Sequence, residues 1–293
     1  MSNLGLDHPL IAVRDLDAAQ ATYLSLGFKM KPAGRHPWGT STALVIFPRQ
    51  LIELVSIYDA SLLDSYPAGQ FSFGRHVEAH LRAGEGVALS AVCSEDAAGD
   101  AAEIEARGAV CAGTIEFGRD VIRADGQADR TATTLKVFPN AALPRLSIFA
   151  CQQHRRDLVE FPEWMDHPNG ALGFASATIL AEREDQPAVQ TWLEAIHGGA
   201  AREMPWGFVV QTARGAWRVM CREGARAVFG TVPVTRHVAA DVAVISLDIR
   251  VRCLAALLPF IEAGAFAYRE IDGTLVLTEQ ERLGGIFLSF QED

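Results

Sequence analysis

The chain has 293 residues, a formal net charge of −10, 49% apolar and 21% charged residues. That balance is the composition of a globular chain long enough for two ordinary domains. It excludes a nucleic-acid binder, which needs a basic stripe to displace counterions; Arg155-Arg156 is too short to be one.

Residues 6–13 read as an apolar strand. Asp15-Leu16-Asp17 then caps a helix over 18–26, with Leu16, Ala19, Tyr23 and Leu26 at helical spacing and Gly27 as its stop. Strands are predicted at 28–32, 41–47 and 51–57, with a turn at Pro37-Trp38-Gly39-Thr40, so the first unit is βαβββ. Residues 60–86 form a connector, broken at Pro67-Ala68-Gly69, with a short helix over 75–83. The pattern then returns: a strand at 86–93, a helix from Glu95-Asp96 to Arg107-Gly108, a strand at 110–117, a polar hairpin over 119–130, and strands at 131–138 and 145–152. Pro162, Pro168 and Gly170 interrupt the next stretch, which places a domain boundary between 1–157 and 158–293.

A third unit has a strand at 175–181, a helix from Asp185-Gln186-Pro187 to His197-Gly198-Gly199, and apolar segments at 206–212, 216–221 and 225–232. A fourth has a strand at 242–249, a helix over 252–263, and strands at 266–271, 274–278 and 285–290. Four βαβββ units, two and two, make an α+β fold. Each sheet has a helix on one face and a concave cleft on the other. No run approaches the roughly 18 apolar residues of a membrane span. The opening Met1-Ser2-Asn3-Leu4-Gly5 has no signal-peptide pattern, so a cytoplasmic protein with no membrane partner is expected. The cysteines at 93, 111, 151, 221 and 253 are scattered and odd in number, the pattern of buried free thiols.

His8 and Glu53 stand in apolar strands. A buried carboxylate has to be paired, protonated or metal-bound, although a surface histidine and an edge-strand glutamate are the plainer readings. In Arg35-His36-Pro37-Trp38-Gly39-Thr40, Arg35 or His36 suits a carboxylate or carbonyl oxygen and Trp38 an apolar body. Phe71 and Phe73 cap the same pocket or simply anchor their loop. His76 and His80 share a helix face but lack the H-E-x-x-H pattern, so an exposed face is expected. His167 and Asn169 are further candidate contacts, though turn chemistry alone accounts for His-Pro-Asn-Gly.

Paired βαβββ units with a His on the first strand and a Glu on the fourth resemble the vicinal oxygen chelate superfamily, and more narrowly the glyoxalase-like domain proteins of bacteria. The stretches carrying this are Leu6-Asp7-His8 through Ala12-Val13-Arg14-Asp15-Leu16-Asp17, Gly34-Arg35-His36-Pro37-Trp38-Gly39-Thr40, Leu51-Ile52-Glu53-Leu54, Phe71-Ser72-Phe73-Gly74, Cys151-Gln152-Gln153-His154 and His167-Pro168-Asn169-Gly170-Ala171. The resemblance implies a divalent metal (Fe, Mn, Ni, Co or Zn) held by His8, Glu53 and a unit-two ligand, His154. Unit two departs from the pattern in offering Leu89 and Ser90 on its first strand. It also implies a lyase, isomerase or dioxygenase acting on a small oxygen-chelating substrate, with Glu53 doubling as a proton-transfer base and the second domain covering the cleft. The alternative is a non-catalytic sequestering protein of the bleomycin-resistance kind. Either way the partner is a small molecule, and a homodimer stays open.

Overall fold

The computed structural model describes residues 4–123, 125–232 and 242–293; residues 1–3, read above for a targeting segment, lie outside them. Unit one is β1 (Gly5–Ala12), α1 (Leu16–Ser25), β2 (Gly34–Arg35), β3 (Thr40–Phe47) and β4 (Gln50–Ile57), followed by α2 (Phe73–Ala83). Unit two is β5 (Gly86–Ser94), α3 (Ala97–Ala106), β6 (Gly113–Phe117), a hairpin of β7 (Asp120–Ile122) and β8 (Ala128–Arg130), β9 (Thr133–Phe138) and β10 (Ile148–Gln153). A linker carrying α4 (Pro162–Met165) leads to unit three: β11 (Ala171–Leu180), α5 (Gln186–His197), β12 (Arg202–Met204), β13 (Gly207–Gln211) and β14 (Ala216–Met220), followed by α6 (Arg222–Phe229). Unit four is β15 (Ala243–Val251), α7 (Leu254–Ala263), β16 (Tyr268–Ile271), β17 (Thr274–Leu277) and β18 (Phe287–Glu292).

Two eight-stranded sheets result, ordered β2-β3-β4-β1-β5-β10-β9-β6 and β12-β13-β14-β11-β15-β18-β17-β16. Within a unit the first and last strands are parallel neighbours. Paired units join through their first strands, β1 against β5 and β11 against β15, both antiparallel. The acidic caps do what their chemistry suggests: Asp15 Oδ1 accepts from the Ala18 amide at 2.9 Å and Asp96 Oδ1 from Gly99 at 3.1 Å. One large apolar core takes side chains from both sheets and from α1, α3, α5 and α7. The other face of each sheet has its own smaller core, built with α2 in the first (Phe73, Val77) and α6 in the second (Ala225, Phe229). Among the described residues no helix is long and apolar enough to cross a membrane.

Two elements differ from the sequence expectation. Residues 28–32 form no ladder strand; Lys31 donates to Leu44 O at 3.2 Å, but Pro32 has no N–H with which to continue. Residues expected as a strand at 225–232 belong mostly to helix α6. Ala225, Val228 and Phe229 pack together at helical spacing, and Gly230 ends the helix in the left-handed region at φ +69°.

The domains are stapled by polar groups as well as by the core. Gln50 is buried; its Nε2 donates to Leu6 O at 3.3 Å and Phe174 O at 3.1 Å, and its Oε1 accepts from the Phe174 amide at 3.1 Å. Replacing it by Ala strands that buried backbone, so Gln50→Ala is expected to cost about 2 kcal/mol or more, read as a lower urea midpoint. His197 is a second buried polar group, with Nε2 accepting from Trp217 Nε1 at 2.9 Å. Burial lowers its pKa from 6.5 to about 4. A depressed histidine keeps its full contribution above the unfolded value and loses it as pH falls from 6.5 towards 4, a loss of about 3 kcal/mol. The urea midpoint should fall across that window, and fall less in His197→Gln, whose amide oxygen still accepts from Trp217.

Candidate functional site

Leu10 on β1 is in register with Glu53 on the parallel β4. His8, two residues earlier, shares the face of Leu10, so the imidazole and the carboxylate meet: His8 Nε2 lies 3.3 Å from Glu53 Oε2. A register shift between Leu6 and His8 against β5 breaks the strict alternation of β1, and Asp7 Oδ1 reaches within 3.1 Å of His8 Nδ1. His36 enters from the turn before β3. Its Nδ1 is 3.0 Å from Thr40 Oγ1 and its Nε2 3.8 Å from Glu53 Oε1. That turn depends on Gly39 at φ +82°, where a Cβ would lie 2.3 Å from the Asp59 carbonyl oxygen. His36 stacks flat on Trp38, centroids 4.6 Å apart, and Phe149 meets His8 edge-on at 5.6 Å.

Glu53 is only 6% exposed and His8 5%. Burial works against a charged His8, but the charge and contact of Asp7, with Glu53 behind it, more than reverse this and raise its pKa above 6.5. Burial, with Arg119 and His8 adding to it, holds His36 well below 6.5. The carboxylate therefore sits between a histidine that favours the cation and one that favours the neutral ring, the kind of divergence that separates acid from base. The three line a cavity of about 40 Å³ together with Trp38, Phe149 and Arg119, room for one functional group or a water. Outside it, a vestibule of about 520 Å³ shares Leu44, Arg119 and Val159 with it.

The structure brings His8, His36, Trp38 and Glu53 together; it does not bring the remaining candidates. On β10 the side chains of Phe149, Cys151 and Gln153 face the cavity. His154, one residue on, falls outside it; it is exposed, with Nε2 2.9 Å from Thr134 Oγ1. Arg35 is exposed, its guanidinium 4.6 Å from the Tyr58 ring. His167 Nδ1 accepts from the Lys29 amide and its Nε2 faces Ile46 O, both at 3.0 Å; burial lowers its pKa to about 4. Asn169 donates to Leu26 O at 2.8 Å and accepts from the Ala171 amide at 3.1 Å. These two pin the linker to unit one, away from the cavity. Phe73 lines the cavity and Phe71 packs edge-on against it at 5.8 Å. His76 and His80 are not on an exposed face: His80 is buried and His76 Nε2 is 2.9 Å from Ala88 O. Arg119 is the site residue that the sequence reading passed over. It stands in a polar hairpin segment, and nothing local distinguishes it from the arginines around it.

The ladders allow the metal expectation to be tested unit by unit. Counting from equivalent pairs, the positions of His8 and Glu53 are taken by Leu89 and Phe149 in unit two, Ser176 and Arg218 in unit three, and Ser246 and Ser289 in unit four. Unit two thus turns two apolar side chains towards the pair. Among the described residues, no group of three or more His, Cys, Asp or Glu side chains is arranged to hold a metal ion. His8 and Glu53 are the donors a cation would use, with His36 beside them, and they are two of the three ligands the resemblance implies, the third, His154, lying outside the cavity. The residues do not fit a complete metal centre.

The family model for the glyoxalase-like domain matches residues 6–196, and the chain belongs to that family, with the fold of the vicinal oxygen chelate superfamily. A hypothetical protein from Staphylococcus aureus is similar over 99% of this chain and 100% of its own, with TM-score 0.70 and 12% identity. A mutant 4-hydroxymandelate synthase from Streptomyces coelicolor aligns over 100% and 93%, with TM-score 0.59 and 13% identity. The Mn(II)-bound glyoxalase from Novosphingobium aromaticivorans aligns over 100% and 83%, with TM-score 0.56 and 10% identity. At these identities the likeness is one of fold. No curated protein matches the sequence.

Cys151 faces the cavity, but burial pushes its thiol well above 9, which leaves it a poor nucleophile. Iodoacetamide at pH 8 should label the exposed Cys253 on the native protein and leave Cys151 unmodified, read by peptide mass spectrometry.

Proposed function

We propose that the chain is a proton-transfer enzyme of the glyoxalase-like family, of isomerase or lyase type, acting on a small oxygen-bearing molecule in the N-terminal cleft. The observation that carries this is the buried Glu53 carboxylate between His8 and His36. Such a carboxylate can accept a proton from a carbon next to a carbonyl: the C–H bond breaks, an O–H forms on Glu53, and the electron pair moves to the carbonyl oxygen. His8, favoured as the cation and steadied by Asp7, offsets the negative charge as it moves, and return of the proton to a different face or atom completes an isomerisation. Water has little room beside the base in a cavity of about 40 Å³, which limits loss of that proton to solvent. A divalent ion, as the resemblance implies, would meet Leu89 and Phe149 opposite its two donors; these steps need none.

The test is C–H exchange in D₂O followed by NMR over a panel of 2-oxo acids, 2-hydroxy acids and 2-hydroxyketones. Glu53→Gln is expected to slow exchange at least about 100-fold, within the range general base catalysis supplies, and exchange should survive dialysis against EDTA. Exchange lost to chelation and restored by Mn²⁺ would replace this reading with a metal-dependent one. Tight binding with no exchange of any panel member would favour a sequestering protein.

A further inference from the structure

The vestibule outside the Glu53 cavity carries an uneven charge. Arg123, on its wall, is paired with Asp129 at 2.9 Å. Lys31 lies 4.9 Å over the Phe161 ring, with Glu163 acting on it. Arg119 is different. Among the described residues its guanidinium makes no ion pair and no hydrogen bond, although it is half-buried and lines both cavity and vestibule. Its backbone is held: the amide donates to Thr131 Oγ1 at 2.8 Å and the carbonyl accepts from the Thr131 amide at 2.9 Å. Space is kept for its head group by Gly34, where a Cβ would lie 2.8 Å from Arg119 Nη1. The Glu53 carboxylate acts on its charge without ion-pair contact or a hydrogen bond, so the donors of a half-buried guanidinium stay unused, which is unfavourable, and a planar fork of donors is the group that recognises a carboxylate in two-point fashion.

We propose that Arg119 holds the carboxylate of the substrate, and that the substrate is an organic acid whose apolar, ring-sized body lies in the vestibule against Leu158, Val159, Phe161 and Trp164. The proton-bearing carbon beside the carbonyl, the CH₂ of a 2-oxo acid such as phenylpyruvate, then falls on the cavity side, towards Glu53. This orientation rests on the proton-transfer reading of Glu53; the binding of the acid does not. Lys31 is a weaker candidate for the anion because its charge already faces an aromatic ring and Glu163.

The test is isothermal titration of the full chain with phenylpyruvate and with its methyl ester. The acid is expected to bind at least about tenfold more tightly than the ester, ~1.4 kcal/mol. Arg119→Gln should remove that preference and leave ester binding unchanged, Arg119→Lys should restore part of it, and Lys31→Gln should leave it intact. The preference in the unaltered protein stands whether or not Arg119→Gln folds. Equal binding of acid and ester, no binding of either, equal weakening of both by Arg119→Gln, or loss of the preference in Lys31→Gln instead would overturn the assignment. An acid that binds through Arg119 in the unaltered protein but never exchanges a proton sinks the catalytic reading alone.

Discussion

A carboxylate kept inside a sheet has to be answered by the strand beside it, and the pairing of β1 with β4 supplies that answer. The parallel register that sets Leu10 beside Glu53 also sets His8 within reach of it. Desolvating a carboxylate costs several kcal/mol unless charge and hydrogen-bonding groups are held close. The bulge that turns Asp7 towards His8, the glycine turn that presents His36 and the aromatic packing of Trp38 all serve that requirement. A slip of one residue between these strands would send His8 and Glu53 to different faces, so the site and the fold are specified by the same ladder.

The fold repeats one unit four times, and the repeat makes the asymmetry of function visible. Two equivalent strand positions carry His and Glu, Leu and Phe, Ser and Arg, and Ser and Ser in turn. Only the first pair has the chemistry to take and return a proton. The third has become structural: Arg218 pairs with Asp248 at 2.9 Å and Ser176 bonds the same carboxylate. A sheet that must bury one face tolerates any side chain of suitable size or partnership there, so the scaffold stands with different side chains at these positions in all four units.

Much of this was legible in the residues. The apolar alternation, the acidic caps and the glycine stops marked four βαβββ units, and two polar side chains in apolar strands marked His8 and Glu53. What failed to show were properties of register and tertiary approach. His154 looked like a ligand because it ends the right strand, but alternation gives the cavity to Gln153. His167 and Asn169 read as candidate contacts and form joints to unit one, since a buried backbone demands partners wherever a linker crosses a domain. Arg119 was hidden because its place beside the cavity comes from tertiary approach of the segment between β6 and β7, which no local spacing encodes. The helix at 222–229 was misread because a short apolar run fits strand or helix equally well.

The linker between the sheets carries one more implication. Phe161 and Trp164, which wall the vestibule, belong to the segment that leads out of the first sheet and that His167 and Asn169 fasten to unit one. The joint between the domains is therefore also a wall of the entrance. An N-terminal half cut off at the end of its own sheet would keep His8 and Glu53 but lose two aromatic walls of the opening beside them, so the linker shapes that opening as well as joining the two halves.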